Sequence, residues 1–140
     1  MIDISLIAAT EEHHPLIYNS FIRSVSGDYD RRKNKRQRRP APQFAQRLHT
    51  VAEKMLKEGR AIVADTGGLA IGWAIGGGMP PALHFVYVKR DFRRRGIGMS
   101  LVQELFPEGP LFVAHMTRAG GFFLDHCKRR VEALAGAWEE

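Results

Sequence analysis

The sequence predicts a single-domain α/β protein in which a mixed β-sheet is flanked by helices. Three observations predict it. Segments of period-two or continuous apolar character alternate with stretches of helical period. Their order reads β-α-α-β-β-β-α-β-α, which layers helices onto a sheet. The chain has 140 residues, 44% hydrophobic and 26% charged, the size and composition of one soluble domain spanning 1–140.

Ile2, Ile4 and Leu6 alternate with Asp3 and Ser5, the pattern of a first strand. Thr10 followed by Glu11 and Glu12 reads as a helix N-cap with acids in the first turn. Leu16, Ile17, Phe21 and Val25 then recur at helical spacing, and Gly27 predicts the end of that helix. A second helix is predicted over 43–58, with Phe44, Leu48, Val51, Met55 and Leu56 on one face and Gly59 as its stop. The runs 61–65 and 69–75 flank Thr66-Gly67-Gly68, a hairpin signal. Gly76-Gly77-Gly78 and Pro80-Pro81 precede a strand over 82–89. A third helix carries Leu101, Val102, Leu105 and Phe106 and stops at Pro107, and 111–116 reads as another strand. A fourth helix is predicted over 121–135, after which only five residues remain, so the fold is expected to be truncated there.

The segment most informative about chemistry is the junction of the strand at 82–89 with the third helix. It reads Val86-Tyr87-Val88-Lys89-Arg90-Asp91-Phe92-Arg93-Arg94-Arg95-Gly96-Ile97-Gly98-Met99. A strand entering a helix through a basic, glycine-containing turn builds an anion site from main-chain N–H groups, with the helix dipole adding positive character. Gly96 and Gly98 let a ligand approach the backbone, and three arginines stand beside the amides. There is no Gly-x-x-x-x-Gly-Lys-Ser/Thr, and Leu101 occupies the place of the third glycine of a dinucleotide fingerprint. A diphosphate is the expected occupant, and a purely structural turn is the plain alternative.

Arg93-x-x-Gly96-x-Gly98 after a strand resembles the pyrophosphate loop of the GNAT superfamily of acyl-CoA-dependent N-acyltransferases. The element order agrees with that superfamily from the first strand to the fourth helix. Domains of this kind usually continue with two more strands, so the far end of the sheet is expected to be missing, very short or completed by a second subunit in a homodimer.

The resemblance implies acetyl-CoA as cosubstrate and an amine as acceptor. It implies that Val86 and Val88 offer main-chain groups to the pantetheine arm, and that Arg93, Arg94, Arg95, Gly96, Ile97, Gly98 and Met99 hold the diphosphate. Acetyl transfer needs a deprotonated amine, a polarised thioester carbonyl and a proton for the departing thiolate. His84 stands where many members place a glutamate and is the candidate base; strand alternation would put it on one face with Val86 and Val88. A structural histidine is the equal alternative. Many members use a tyrosine of the last helix as acid, and residues 117–127 contain none. His126 and Cys127 are the local substitutes, and Tyr18 and Tyr87 come from other elements.

Charge is the second functional signal. The chain carries 21 Lys and Arg against 15 Asp and Glu, a formal net charge of +6. Seven of those bases, Arg31, Arg32, Lys33, Lys35, Arg36, Arg38 and Arg39, lie in one nine-residue run without an acid, and the other 14 are matched by the 15 acids. Such a run is ordinarily a solvated loop. Between the first two helices of this fold it would border the acceptor side of the cleft, and seven cations suit the phosphates of DNA or RNA. Two groups on this scaffold act on nucleic acid: toxins that acetylate aminoacyl-tRNA, and phage Mom-type enzymes that modify adenine in DNA. Short segments such as 21–24, 72–74 and 83–89 look similar to small phage-encoded proteins of this type. A Mom-type enzyme, or a binding module without catalysis, is the alternative to an acetyltransferase.

No apolar run reaches the length of a membrane span, and residues 1–4 do not read as a signal peptide. The single Cys127 forms no internal disulfide and suits a cytoplasmic setting. His13 and His14 are adjacent and would diverge on a helix, and no zinc spacing is present, so no metal is expected.

Overall fold

Ser5–Ala8 (β1) pairs antiparallel with Arg60–Thr66 (β2), which pairs antiparallel with Leu69–Gly77 (β3). The latter pairs antiparallel with Ala82–Val88 (β4). Leu111–Val113 (β5) and Val131–Ala133 (β6) extend the sheet in parallel, giving the order β1-β2-β3-β4-β5-β6. The helices are His14–Arg32 (α1), Pro42–Glu58 (α2) and Ile97–Leu105 (α3). The computed structural model describes residues 3–32, 42–77, 81–108, 111–113 and 131–133, with 26–32, 42–45, 111 and 131–133 described by backbone alone.

Local chemistry accounts for most of the boundaries. The first helix is entered through a 3₁₀ turn, Glu11–His13, in which the His13 ring accepts the Thr10 N–H at 3.0 Å. Pro42 opens α2, where a missing N–H costs nothing and φ is already helical. Gly67 and Gly68 form the two-residue turn of the β2–β3 hairpin with φ of 58° and 90°, and the Gly68 N–H donates to Asp65 Oδ2 at 3.1 Å.

The sheet separates two cores. On one face, Ile17 and Phe21 of α1 and Leu48, Ala52 and Met55 of α2 cover Val63, Trp73, Ile75 and Phe85. On the other, Ile97, Leu101 and Val102 of α3 cover Ile62, Ala64, Ile71, Ala74 and Leu83. The first core is tied polarly as well: Trp73 Nε1–H donates to Ser20 Oγ at 2.8 Å, and that hydroxyl donates to the Ile17 carbonyl at 3.0 Å. Both partners are buried, and a buried indole N–H left without an acceptor would be destabilising.

Three sequence expectations change. The first helix does not stop at Gly27 but continues to Arg32, so Arg31 and Arg32 close α1 instead of opening a loop. One glycine costs a helix only about 1 kcal/mol, which the packed half of α1 outweighs. The end of the expected fourth helix is strand: Val131–Ala133 pairs with β5 in the register Leu111↔Val131 and Val113↔Ala133. Among the described residues the sheet therefore extends one strand beyond β5. The rest of that expected helix, and the strand beyond Val113, lie outside the described residues, as do 33–39 of the basic run.

Candidate active site

The edge of β4 that faces away from β3 is the starting point. Lys89 N–H donates to the Ile71 carbonyl at 2.8 Å, which makes 71 and 89 a hydrogen-bonded pair. Antiparallel pairs alternate, so in the register Gly72↔Val88, Trp73↔Tyr87, Ala74↔Val86 and Ile75↔Phe85 the groups of Phe85 and Tyr87 face β3. Those of Val86 and Val88 face the other way, toward the β5 side. Among the described residues β5 meets β4 at one pair, Leu83↔Val113, below both valines. The two main-chain positions expected to present themselves to pantetheine are the two that point out of the β3–β4 ladder.

Beyond Val88 the chain makes a 3₁₀ turn, Arg90–Phe92, then the basic turn, then α3. Arg94 and Gly96 are left-handed, with φ of 64° and 79°, on either side of Arg95. That alternation of handedness is the backbone geometry from which anion-binding nests are made. Gly96 is the N-cap of α3, and the first helical N–H with an intrahelical acceptor is Ser100, bonded to the Gly96 carbonyl at 3.0 Å. The N–H groups of Ile97, Gly98 and Met99 therefore point out of the helix end, where the dipole favours an anion. The helix start is seated on the sheet through Gly72: a Cβ there would lie 3.5 Å from the Ile97 side chain and 3.0 Å from the Tyr87 carbonyl. Cleft edge and anion turn are thus parts of one rigid unit.

Arg93, Arg94 and Arg95 are all exposed, but they do not do the same thing. Arg93 Nε–H donates to the Val88 carbonyl at 2.7 Å, and its guanidinium carbon lies 5.4 Å from the centre of the Tyr87 ring. Of the groups expected to pair with pantetheine, the Val88 carbonyl is already an acceptor. Arg95 lies over Phe92 at 5.8 Å.

His84 departs from its expected place. The register passes from Ile75↔Phe85 to Gly76↔Leu83, leaving His84 as the extra residue of a β-bulge. Leu83, Val86 and Val88 pack on the α3 side and Phe85 and Tyr87 on the α1–α2 side, with His84 as the extra residue where the pattern slips. Strict alternation would have grouped His84 with the valines, and the bulge breaks that alternation. The His84 Nε2–H donates to the Gly77 carbonyl at 3.1 Å, which fixes that tautomer and leaves the lone pair on Nδ1. Burial pushes the imidazole below its ordinary value of 6.5, against opposing effects of the Gly77 bond and the Glu58 carboxylate. The ring is thereby held neutral, the form a base requires.

Tyr18 is not brought to the β4 edge by any ring contact. Its ring stacks on His49 at 4.5 Å and 11° and meets His14 edge-on at 6.3 Å, on the α1–α2 pair. Burial and then the Glu53 carboxylate raise its phenol above 10.0. His126 and Cys127 lie outside the described residues. Among the described residues no cluster of His, Cys, Asp and Glu could hold a metal ion, and no helix is long and apolar enough to cross a membrane.

The comparisons agree with this geometry. Residues 20–110 match the family model described as the acetyltransferase (GNAT) family. Among solved structures the fold is similar to apo YjaB from Escherichia coli, at 19% identity over 89% of this chain and 80% of that one, with a TM-score of 0.60. It is similar also to the PaiA N-acetyltransferase from Thermoplasma acidophilum in complex with coenzyme A (15% identity, 89% and 87% coverage, TM-score 0.59). A third likeness is to the GCN5-related N-acetyltransferase structure from Rhodopseudomonas palustris (17% identity, 89% and 81% coverage, TM-score 0.58). No curated protein matches the chain. With a family match that spans 91 residues and includes the whole strand–turn–helix unit, the chain belongs to the GNAT family and is an acyltransferase that uses acetyl-CoA as its cosubstrate.

Proposed function

We propose that the acceptor is an amine carried on a nucleic acid, and that transfer takes place where the outward edge of β4 meets the His84 bulge. The observation that carries the site is continuity. The outward groups of Val86, the Val88 N–H and the open amides of Ile97, Gly98 and Met99 follow one another along a single rigid unit. The diphosphate binds the amides of the α3 N-terminus with Arg94 and Arg95 beside it, and pantetheine runs along β4 toward the bulge. The Val86 N–H is then the donor nearest the thioester oxygen and stabilises the negative charge that develops there.

His84 takes the proton from the acceptor amine as its nitrogen attacks the thioester carbon, although its Nδ1 is buried in the free protein and must be uncovered for that step. The carbon–sulfur bond breaks and the thiolate departs with the coenzyme. The lowered basicity of His84 keeps Nδ1 unprotonated at neutral pH.

The acceptor class is supported by charge. Seven cations in nine residues begin with Arg31 and Arg32 at the end of α1 and continue in the sequence beyond it, and the remaining sequence is close to neutral. A polyanion gains several phosphate contacts from such a run whatever its sequence, and loses them steeply with salt. The test is radiolabelled acetyl transfer to aminoacyl-tRNA, to adenine-containing DNA, and to free polyamines and peptides, each at 50 and 200 mM salt. Transfer to a nucleic-acid acceptor that falls at least tenfold with salt, and that is lost when residues 31–39 are neutralised, supports the reading. Salt-insensitive transfer to the free amines alone would overturn it.

A further inference from the structure

Arg93 is the first residue of the loop motif, and the simple assumption is that it binds phosphate along with its two neighbours. Its side chain is engaged differently. The Nε–H is spent on the Val88 carbonyl at 2.7 Å, while the guanidinium carbon lies over the Tyr87 ring, 5.4 Å from its centre. Tyr87 stacks on Trp73 with centroids 5.2 Å apart and planes 23° apart. Trp73 is pinned by Ser20 of α1 at 2.8 Å. The guanidinium thus joins the last outward-facing residue of β4 to a buried aromatic platform and, through it, to α1. Arginine meets both demands at once, carrying a directed N–H donor and a delocalised cation that an aromatic ring attracts.

We infer that Arg93 is a positioning residue of the acyl-donor cleft: it holds the end of the β4 edge against the Tyr87–Trp73 stack, and does not act as a diphosphate ligand. By accepting Arg93, the Val88 carbonyl has one of its two lone pairs engaged, while Val86 and the Val88 N–H are the other pairing groups of this edge. This rests on the reading that pantetheine runs along that edge. It separates the motif into a part that sets the strand, Arg93, and a part that meets phosphate, the amides of Ile97 to Met99 with Arg94 and Arg95.

The test compares two donors by calorimetric titration: acetyl-CoA, and S-acetylpantetheine, which lacks the diphosphate and nucleotide. In Arg93→Gln the affinity for both donors is expected to fall by the same factor, about tenfold, the scale of a lost charged hydrogen bond. In Arg95→Gln the loss is expected with acetyl-CoA alone. In the free protein, the Val88 carbonyl ¹³C resonance is expected to move in Arg93→Gln while the α3 amide resonances stay in place. Should Arg93→Gln not fold, Arg93→Lys carries the same comparison, since it keeps the charge and loses the planar donor. A loss confined to acetyl-CoA, or an unmoved Val88 carbonyl, overturns the inference and leaves the cleft reading standing. Binding of neither donor by the parent protein overturns both.

Discussion

The ring of Phe106 occupies the space in which a side chain on Gly76 would have to sit: a Cβ built on Gly76 comes within 2.5 Å of Phe106 Cζ. This contact fastens the segment after α3 onto the last part of β3, directly across from the bulge at His84. Gly76→Ala is therefore expected to destabilise the fold by about 1–3 kcal/mol, the usual cost of overpacking. Adding Phe106→Leu should recover part of that loss. Denaturant unfolding of the two single variants and the double variant measures the non-additivity, and additive losses would contradict the contact.

Ser20 Oγ accepts the Trp73 indole N–H within the core between α1, α2 and the sheet; the two residues are 1% and 2% exposed. Ser20→Ala leaves a buried N–H unsatisfied and should cost about 1–3 kcal/mol. A thermal midpoint unchanged within error would show that the bond contributes nothing.

Gly96 adopts a left-handed φ of 79° with open space around the place of a Cβ. Gly96→Ala should thus pay only for backbone strain, about 1–2 kcal/mol, and the strain should appear at the cosubstrate turn as weaker acetyl-CoA binding. Gly67→Ala, left-handed as well at φ 58° but in the distant hairpin, should lose comparable stability and keep its affinity. Equal affinities in both variants would separate Gly96 from the site.

His84 predicts a pH dependence of definite sign. Its folded-state affinity for a proton lies below the ordinary value of 6.5, so the unfolded chain binds more protons than the native one in that region. Stability contributed by the neutral ring is complete above about pH 6.5 and is lost as the pH falls through the lower folded value. The difference in unfolding free energy between the parent and His84→Asn should therefore shrink on acidification. The acid limb of kcat/KM should vanish in the variant if His84 is the base. A difference constant from pH 5 to 8 would refute the buried neutral state.

Much of this arrangement was legible in the residues. Gly67-Gly68 announced the hairpin, the apolar spacing of Leu48 and Met55 the buried face of α2, and Arg93-x-x-Gly96-x-Gly98 the turn with its left-handed glycine. The bulge at His84 was not legible, because β4 is covered on both faces. Ala82, Leu83, Phe85, Val86, Tyr87 and Val88 are apolar on either side of the sheet and carry no alternation in which a slip would show. The separate duty of Arg93 was hidden for a different reason. Three consecutive arginines are chemically alike, and only the closing geometry of the turn sets the first against the Val88 carbonyl. Gly27 misled because a helix whose apolar face is packed tolerates one glycine, and the strand at Val131–Ala133 because three residues hold too little pattern to oppose a helical reading.

The central claim is that the acyl donor lies along the outward edge of β4 with its diphosphate on the α3 N-terminus. Amide hydrogen exchange with and without acetyl-CoA tests it most directly. The account predicts that the N–H groups of Val86, Val88, Ile97, Gly98 and Met99 gain protection together, while that of Tyr87, already bonded to β3, does not change. Saturation with acetyl-CoA that leaves the Val86 and Gly98 amides exchanging as in the free protein would contradict it.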